Sequence, residues 1–211
     1  MFDRLFRFEQ RLAEYTGAPY AIATDGCTHA IELCLRYDQV QAAKFTAYTY
    51  VSIPQLMHQL NIEYELVEER WTGEYQFWGT RIWDSARRLE RDMYRPHTMQ
   101  CLSFGYGKPL HVGKLGAILL DDAAAYEQMS RWRSDGRDLH ISPWQDQPVF
   151  GRGYHYCPTL EDCDAGLWAL EYDEPEPPHH VVYPNLRELN IQPSATDLAR
   201  RTDGNSVDLV Q

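Results

Sequence analysis

Long apolar runs are missing from this chain. No stretch approaches the roughly 20 residues that a membrane-spanning helix needs, so a membrane protein is not expected. The opening Met1-Phe2-Asp3-Arg4 lacks the charged-then-apolar layout of a secretory signal, and the expected location is cytoplasmic. Cations are scarce: 20 Lys and Arg stand against 31 Asp and Glu, for a formal net charge of -11. That balance argues against nucleic acid as a partner, because binding phosphate backbones takes clustered Lys and Arg, and it favours small-molecule partners. Cys27, Cys34, Cys101, Cys157 and Cys163 form an odd set without a CxxC pair, which suits neither a disulfide framework nor a zinc site. The adjacent His179-His180 has no carboxylate at ligand spacing, so no metal is expected. Internal repeats and low-complexity stretches are absent as well.

What is present suffices for a core: 211 residues, 44% of them hydrophobic, read as one compact domain. Phe2, Leu5, Phe6, Leu12 and Tyr15 recur at helical spacing, and Gly17 follows as a stop, predicting a helix over 2–16. Tyr20 to Thr24 reads as a strand, Asp25-Gly26 as a turn and Thr28 to Tyr37 as a helix, the first half of a βαβ unit. Further strands are expected at Lys44–Tyr48, Glu63–Val67, Thr80–Trp83, Met99–Ser103 and Ala117–Leu120, an alternation that indicates an α/β fold with a mostly parallel sheet flanked by helices. Residues 1–140 are read as the sheet domain. Residues 141–211 are read as an irregular, proline-rich extension on the same domain, with one helix at Glu161–Glu171 and a frayed end.

Ligands in open α/β sheets gather beyond the carboxyl ends of strands. Four segments stand there. Asp25-Gly26-Cys27-Thr28 opens a helix whose free N–H groups favour a phosphate, although an ordinary helix cap reads the same way. Tyr48-Thr49-Tyr50 offers an aromatic ring for stacking, or for the core. Asp84 comes straight after a strand, where it can cap the next helix as easily as bind a ligand. Ser103-Phe104-Gly105-Tyr106-Gly107-Lys108 puts a lysine and a hydroxyl in one glycine-containing loop. Together they meet each need of one cofactor, pyridoxal 5'-phosphate: an amine to form an imine, a phosphate cradle, a stacking ring and an anion for the pyridine nitrogen.

The order and wording of these segments resemble the DegT/DnrJ family of fold-type-I pyridoxal-phosphate enzymes, best known as sugar aminotransferases, over roughly residues 8 to 170. Phe8-Glu9 through Gly17 and Ala21 to Leu35 resemble the family's opening, with Cys27 and Thr28 on its phosphate-binding pair. Ala47-Tyr48-Thr49-Tyr50-Val51 puts Tyr50 at the ring-stacking aromatic, without the family's proline, and Trp83-Asp84-Ser85-Ala86-Arg87 puts Asp84 at the pyridine nitrogen. Arg87 stands where glutamine or histidine contacts the ring hydroxyl, so it would polarise that oxygen or grip a substrate carboxylate. Ser103 through Lys108, followed by Val112-Gly113-Lys114-Leu115-Gly116-Ala117-Ile118, is the most specific match, with Ser103 on the phosphate and Lys108 at the Schiff-base position. Arg133-Ser134-Asp135-Gly136-Arg137 resembles an arginine-glycine-arginine loop. Gly153-Tyr154-His155-Tyr156 resembles a Gly-Tyr-Asn segment reaching the neighbouring subunit's cofactor, with His155 in place of the asparagine.

The resemblance implies an aminotransferase that moves an amino group from glutamate or glutamine to a keto acceptor, such as a nucleotide-linked keto-sugar, in a homodimer with shared active sites. The chain is far shorter than usual members and the interval from Tyr50 to Asp84 is compressed, so the C-terminal small domain is expected to be largely absent. Three other readings stay open: non-transaminating chemistry on the same cofactor, a non-catalytic regulatory remnant, and an unrelated α/β binding module.

Overall fold

The computed structural model describes residues 2–178, 182–189 and 191. Helix α1 (Asp3–Thr16) buries Leu5, Phe8, Leu12 and Tyr15, one stripe at helical spacing, and ends on Gly17, whose φ of 73° is the left-handed cap that glycine adopts without strain. Strand β1 (Tyr20–Thr24) leads through Gly26 into α2 (Cys27–Tyr37), which buries Ala30, Ile31, Leu33, Cys34 and Leu35. Then come β2 (Ala42–Thr46), α3 (Ser52–Leu60), β3 (Glu63–Val67), β4 (Tyr75–Gln76), β5 (Ile82–Asp84), β6 (Met99–Ser103), β7 (Gly116–Leu120), α4 (Ala123–Arg133) and α5 (Leu160–Tyr172). Helix α3 escaped the sequence pattern because Pro54 interrupts it. Lying in the first turn, that proline lacks only an N–H that would have no helical partner anyway.

The fold class is α/β, but the expected mostly parallel sheet needs correcting. The five-stranded sheet runs β1-β7-β6-β5-β4, with β1–β7, β7–β6 and β5–β4 antiparallel and only β6–β5 parallel. Strands β2 and β3 form a separate parallel pair, joined to β4's continuation by an antiparallel bridge between Lys44 and Trp78. Following these directions across, β1, β2, β3, β5 and β6 all point one way, and β4 and β7 point back. The strands thus mostly share a direction while their pairings are mixed. A single reversed strand, β7, sits between β1 and β6, and the twelve-residue connection from β6 to β7 carries no crossover helix.

Successive strand residues face opposite sides, and the core divides accordingly. Ile22, Cys101, Ile118 and Leu120 pack with α2, α3 and α4 on one face, while Ala21, Ala23, Leu102, Ala117 and Leu119 pack with α1 and α5 on the other. On that second face α5 sits close to α1. A Cβ at Gly166 would lie 2.7 Å from Phe8 Cε2, so glycine sets the spacing. Beyond α5 the chain returns to the sheet's edge, where Glu176 N–H donates to Pro109 O at 2.7 Å and Leu186 N–H to Ala47 O at 2.9 Å. His179-His180 and the expected fray beyond residue 200 lie outside the described residues.

Candidate active site

Because β1, β2, β5 and β6 share a direction, their carboxyl ends meet at one edge, and the loops that follow them surround a cleft of about 430 Å³. Cys27, Thr28, Tyr50, Asp84, Arg87, Ser103 and Lys108 all line it; His155 does not. Reversed β7 begins where its neighbours end, with Gly116 opposite both Thr24 and Ser103. A Cβ there would sit 2.4 Å from Gly26 C and 2.5 Å from Cys27 N. The turn into α2 therefore rests directly on bare backbone.

That turn and α3 build one wall. No side chain caps the start of α2, and Thr28 Oγ1 lies 2.9 Å from Ser52 Oγ in the first turn of α3. Two helix starts and two hydroxyls converge there, with the positive ends of both dipoles, and Tyr50 stands beside them, 60% exposed at the rim. The Cys27 thiol instead turns inward, 3.5 Å from Cys101 O and 4.0 Å from Asp84 Oδ1. Burial, and next the charge of Asp84, push its pKa well above the ordinary thiol value, so Cys27 offers backbone N–H rather than a nucleophile.

Asp84 lies beside the Cys27 thiol, buried at the end of β5. Its Oδ1 accepts Ala86 N–H at 3.0 Å and its Oδ2 accepts the Tyr75 hydroxyl at 2.9 Å, while Tyr75 Oη lies 2.7 Å from Thr49 Oγ1. Burial raises the Asp84 pKa; the charge of Lys108 and these two donors pull the other way. Among the described residues no Lys, Arg or His forms an ion pair with this carboxylate. Lys108 is half-buried in a loop that closes tightly, its own N–H on Gly105 O at 3.2 Å, with Gly107 at φ 65° taking the left-handed turn.

Sequence reasoning missed five contributors: Thr49, Ser52, Trp71, Tyr75 and Tyr183. Tyr75 stands on a two-residue strand too short for any alternation, and Tyr183 arrives from a proline-flanked segment more than 70 residues beyond Lys108. His155 lies on the exposed surface with Nδ1 3.1 Å from Asp135 Oδ1. Arg133, from the arginine-glycine-arginine loop, points into the interior against Glu9.

The site thus brings together an anion cradle, a buried carboxylate without an ion-paired cation among the described residues, an amine and an aromatic at the rim. A pyridine ring with a phosphate on one side and a basic nitrogen on the other fits that donor set. In sequence, residues 2–68 match the profile of the DegT/DnrJ/EryC1/StrS aminotransferase family. No curated protein matches the chain in sequence. Among solved structures, a DegT/DnrJ/EryC1/StrS aminotransferase from Brucella abortus is similar with TM-score 0.65 and 16% identity, over 80% of this chain and 59% of its own. A Streptococcus pneumoniae protein assigned as a sugar aminotransferase, in its PMP form, gives 0.65 and 16%, over 80% and 58%. The Helicobacter pylori aminotransferase PseC, involved in pseudoaminic acid biosynthesis, gives 0.61 and 14%, over 80% and 57%. The fold is that of the fold-type-I aminotransferases, and the chain spans under three-fifths of the length of these three structures.

Proposed function

We propose that the cleft binds pyridoxal 5'-phosphate and that the protein is an aminotransferase, moving an amino group from glutamate or glutamine to a keto acceptor, a nucleotide-linked keto-sugar among the candidates. The observation that carries this reading is the buried Asp84 carboxylate, hydrogen-bonded on both oxygens, within the electrostatic reach of Lys108 on the same cleft, and without an ion-paired cation among the described residues. The family profile over residues 2–68 and the shared fold support it.

The N–H groups of Cys27 and Thr28, with the hydroxyls of Thr28, Ser52 and Ser103, would hold the phosphate. Tyr50 would fix the ring plane, Asp84 would keep the pyridine nitrogen protonated, and Lys108 would hold the cofactor through its Nζ. When bound, the cofactor supplies an electron sink for the negative charge left on the substrate's α-carbon. Lys108 Nζ would also serve as the base that takes and holds the proton of the substrate's α-carbon. By likeness to the family we also infer a cytoplasmic homodimer in which His155 reaches the neighbouring site.

The test is the near-visible absorption of the protein with pyridoxal phosphate, beside Lys108→Ala. A band that needs Lys108 and bleaches on adding glutamate or glutamine is expected. A Lys108-dependent band that no donor bleaches would leave cofactor binding and remove transamination, and a spectrum indifferent to Lys108 would remove both.

A further inference from the structure

Arg87 is a cation in a polar cleft and forms no ion pair among the described residues. Its Nη1 donates to Gly107 O and its Nη2 reaches Tyr183 Oη at 3.5 Å, with the guanidinium carbon 5.9 Å from the centre of the Tyr183 ring. Its Nε is buried and makes no hydrogen bond. Its neighbours are treated differently, since Arg88 and Arg95 both pair with Glu74. Among the described residues no carboxylate lies within ion-pair distance of Arg87, so its direct contacts are two neutral oxygens and a ring, and the buried Asp84 carboxylate of the same cleft acts on it only at longer range. A half-buried guanidinium left this way has unspent capacity for a planar anion, and its donor fork matches a carboxylate.

Tyr183 is held there by design of the chain's return path. Its segment is pinned on one side to Pro109 O, the residue after Lys108, and on the other to Ala47 O, just before Tyr48-Thr49-Tyr50. Between those anchors the Tyr183 ring stacks on Trp71 at 6.1 Å and 16°, and Trp71 Nε1 donates to Tyr48 O at 2.7 Å. The phenol is thereby set beside the guanidinium, on the same cleft as Lys108.

We propose that Arg87 and Tyr183 form the subsite that receives the substrate's carboxylate, and that the ligand class of this end of the cleft is a small 2-amino or 2-oxo acid. Arg87 supplies the charge and the fork. Tyr183 holds the guanidinium in aim while the subsite is empty and donates its hydroxyl when the carboxylate arrives. This rests on the aminotransferase reading for its chemistry but is tested apart from it.

Glutarate, which has the two carboxylates of glutamate and no amine to react, is titrated into the protein with and without pyridoxal phosphate while tryptophan emission is followed. Glutaramide, its neutral diamide, and inorganic phosphate are the comparison probes. Saturable glutarate binding is expected, weakened at least about tenfold by Arg87→Gln, as befits loss of charge-assisted hydrogen bonds, and several-fold by Tyr183→Phe. Any glutaramide affinity should not move in either variant. Arg87→Lys, which keeps the charge without the fork, should recover only part of the loss. Glutarate affinity unchanged in a folded Arg87→Gln protein, no glutarate binding at all, or an Arg87-dependent affinity for phosphate alone would each overturn the proposal. Persistence of the Lys108-dependent band in Arg87→Gln separates that failure from failure of the cofactor reading.

Discussion

Asp84 is where stability and function pull against each other. Burial raises its pKa, so near the ordinary carboxylate range the folded protein keeps a proton that the unfolded chain has lost. Stability therefore falls as pH rises through the window that opens at the unfolded value, and the full cost is present once the folded carboxylate is ionised. Asp84→Asn removes that cost while keeping an acceptor for Ala86 N–H. Without cofactor it is expected to melt higher than the parent at pH 7, with the gap closing as pH falls toward 4, whereas its cofactor affinity is expected to drop. A variant that melts lower throughout would show that the charge itself stabilises the empty cleft. Tyr75→Phe acts in the opposite sense on the same group: without the phenol's hydrogen bond the Asp84 pKa rises further. Cofactor retention should then fail at higher pH on acidification than in the parent, as read from the absorption band. That Asp84 and Lys108 would stand at the cleft was readable because one ends a strand and the other lies in the loop after one. Tyr75, Thr49 and Tyr183 were not, since nothing local marks a tyrosine that serves a carboxylate nine residues away or an arginine 96 residues away.

Among the elements, β7 does the most to shape the site. Its expected start at Ala117 left Gly116 outside, yet Gly116 is the residue that lets the turn into α2 lie against the sheet. Gly116→Ala puts a Cβ into the backbone of Gly26 and Cys27, which cannot swing aside as a side chain would. A stability loss of about 1–3 kcal/mol is expected from such overpacking, together with weaker phosphate and cofactor binding as the turn is displaced. Gly26→Ala is the matched control: its φ of 177° is ordinary extended backbone and nothing lies within 4 Å of the new Cβ. Equal affinities for pyridoxal phosphate in the two variants would mean the cradle does not depend on this contact. Strands β1, β3 and β6 were legible to the residue from apolar runs between breakers. The order of the sheet was not, because a reversed strand carries the same buried pattern as a parallel one, and β4 is too short to carry any pattern.

For the whole molecule, the open side of the sheet at β1 is the exposed flank, since an edge strand presents unpaired backbone groups. Glu9 of α1 and Arg133 at the end of α4 close it: Ala23 N–H donates to Glu9 Oε1 at 2.7 Å, Ala23 O accepts from Arg133 Nη1 at 2.8 Å, and the two side chains pair with each other. One residue pair thus ties both helical layers to the edge strand, and Asp25 N–H continues the closure onto Tyr156 O at 2.9 Å. Separated by 124 positions, Glu9 and Arg133 look in sequence like two solvated charges. They are 5% and 1% exposed, and although burial works against the Arg133 charge, Glu9 raises its pKa above the usual value. Glu9→Gln therefore strands a guanidinium in the interior. The expected cost is about 3–5 kcal/mol, a large share of the roughly 5–15 kcal/mol that holds a domain of this kind together. Urea denaturation at pH 7 should show a lower midpoint at an unchanged slope, with aggregation as the β1 edge opens. Glu9→Leu with Arg133→Met replaces both charges by apolar groups of similar bulk and should recover much of the loss, because the penalty lies in the unpaired charge. If the double variant is no better than Glu9→Gln, the contribution comes from the two hydrogen bonds to Ala23 instead, and edge closure rather than charge pairing is what the pair supplies.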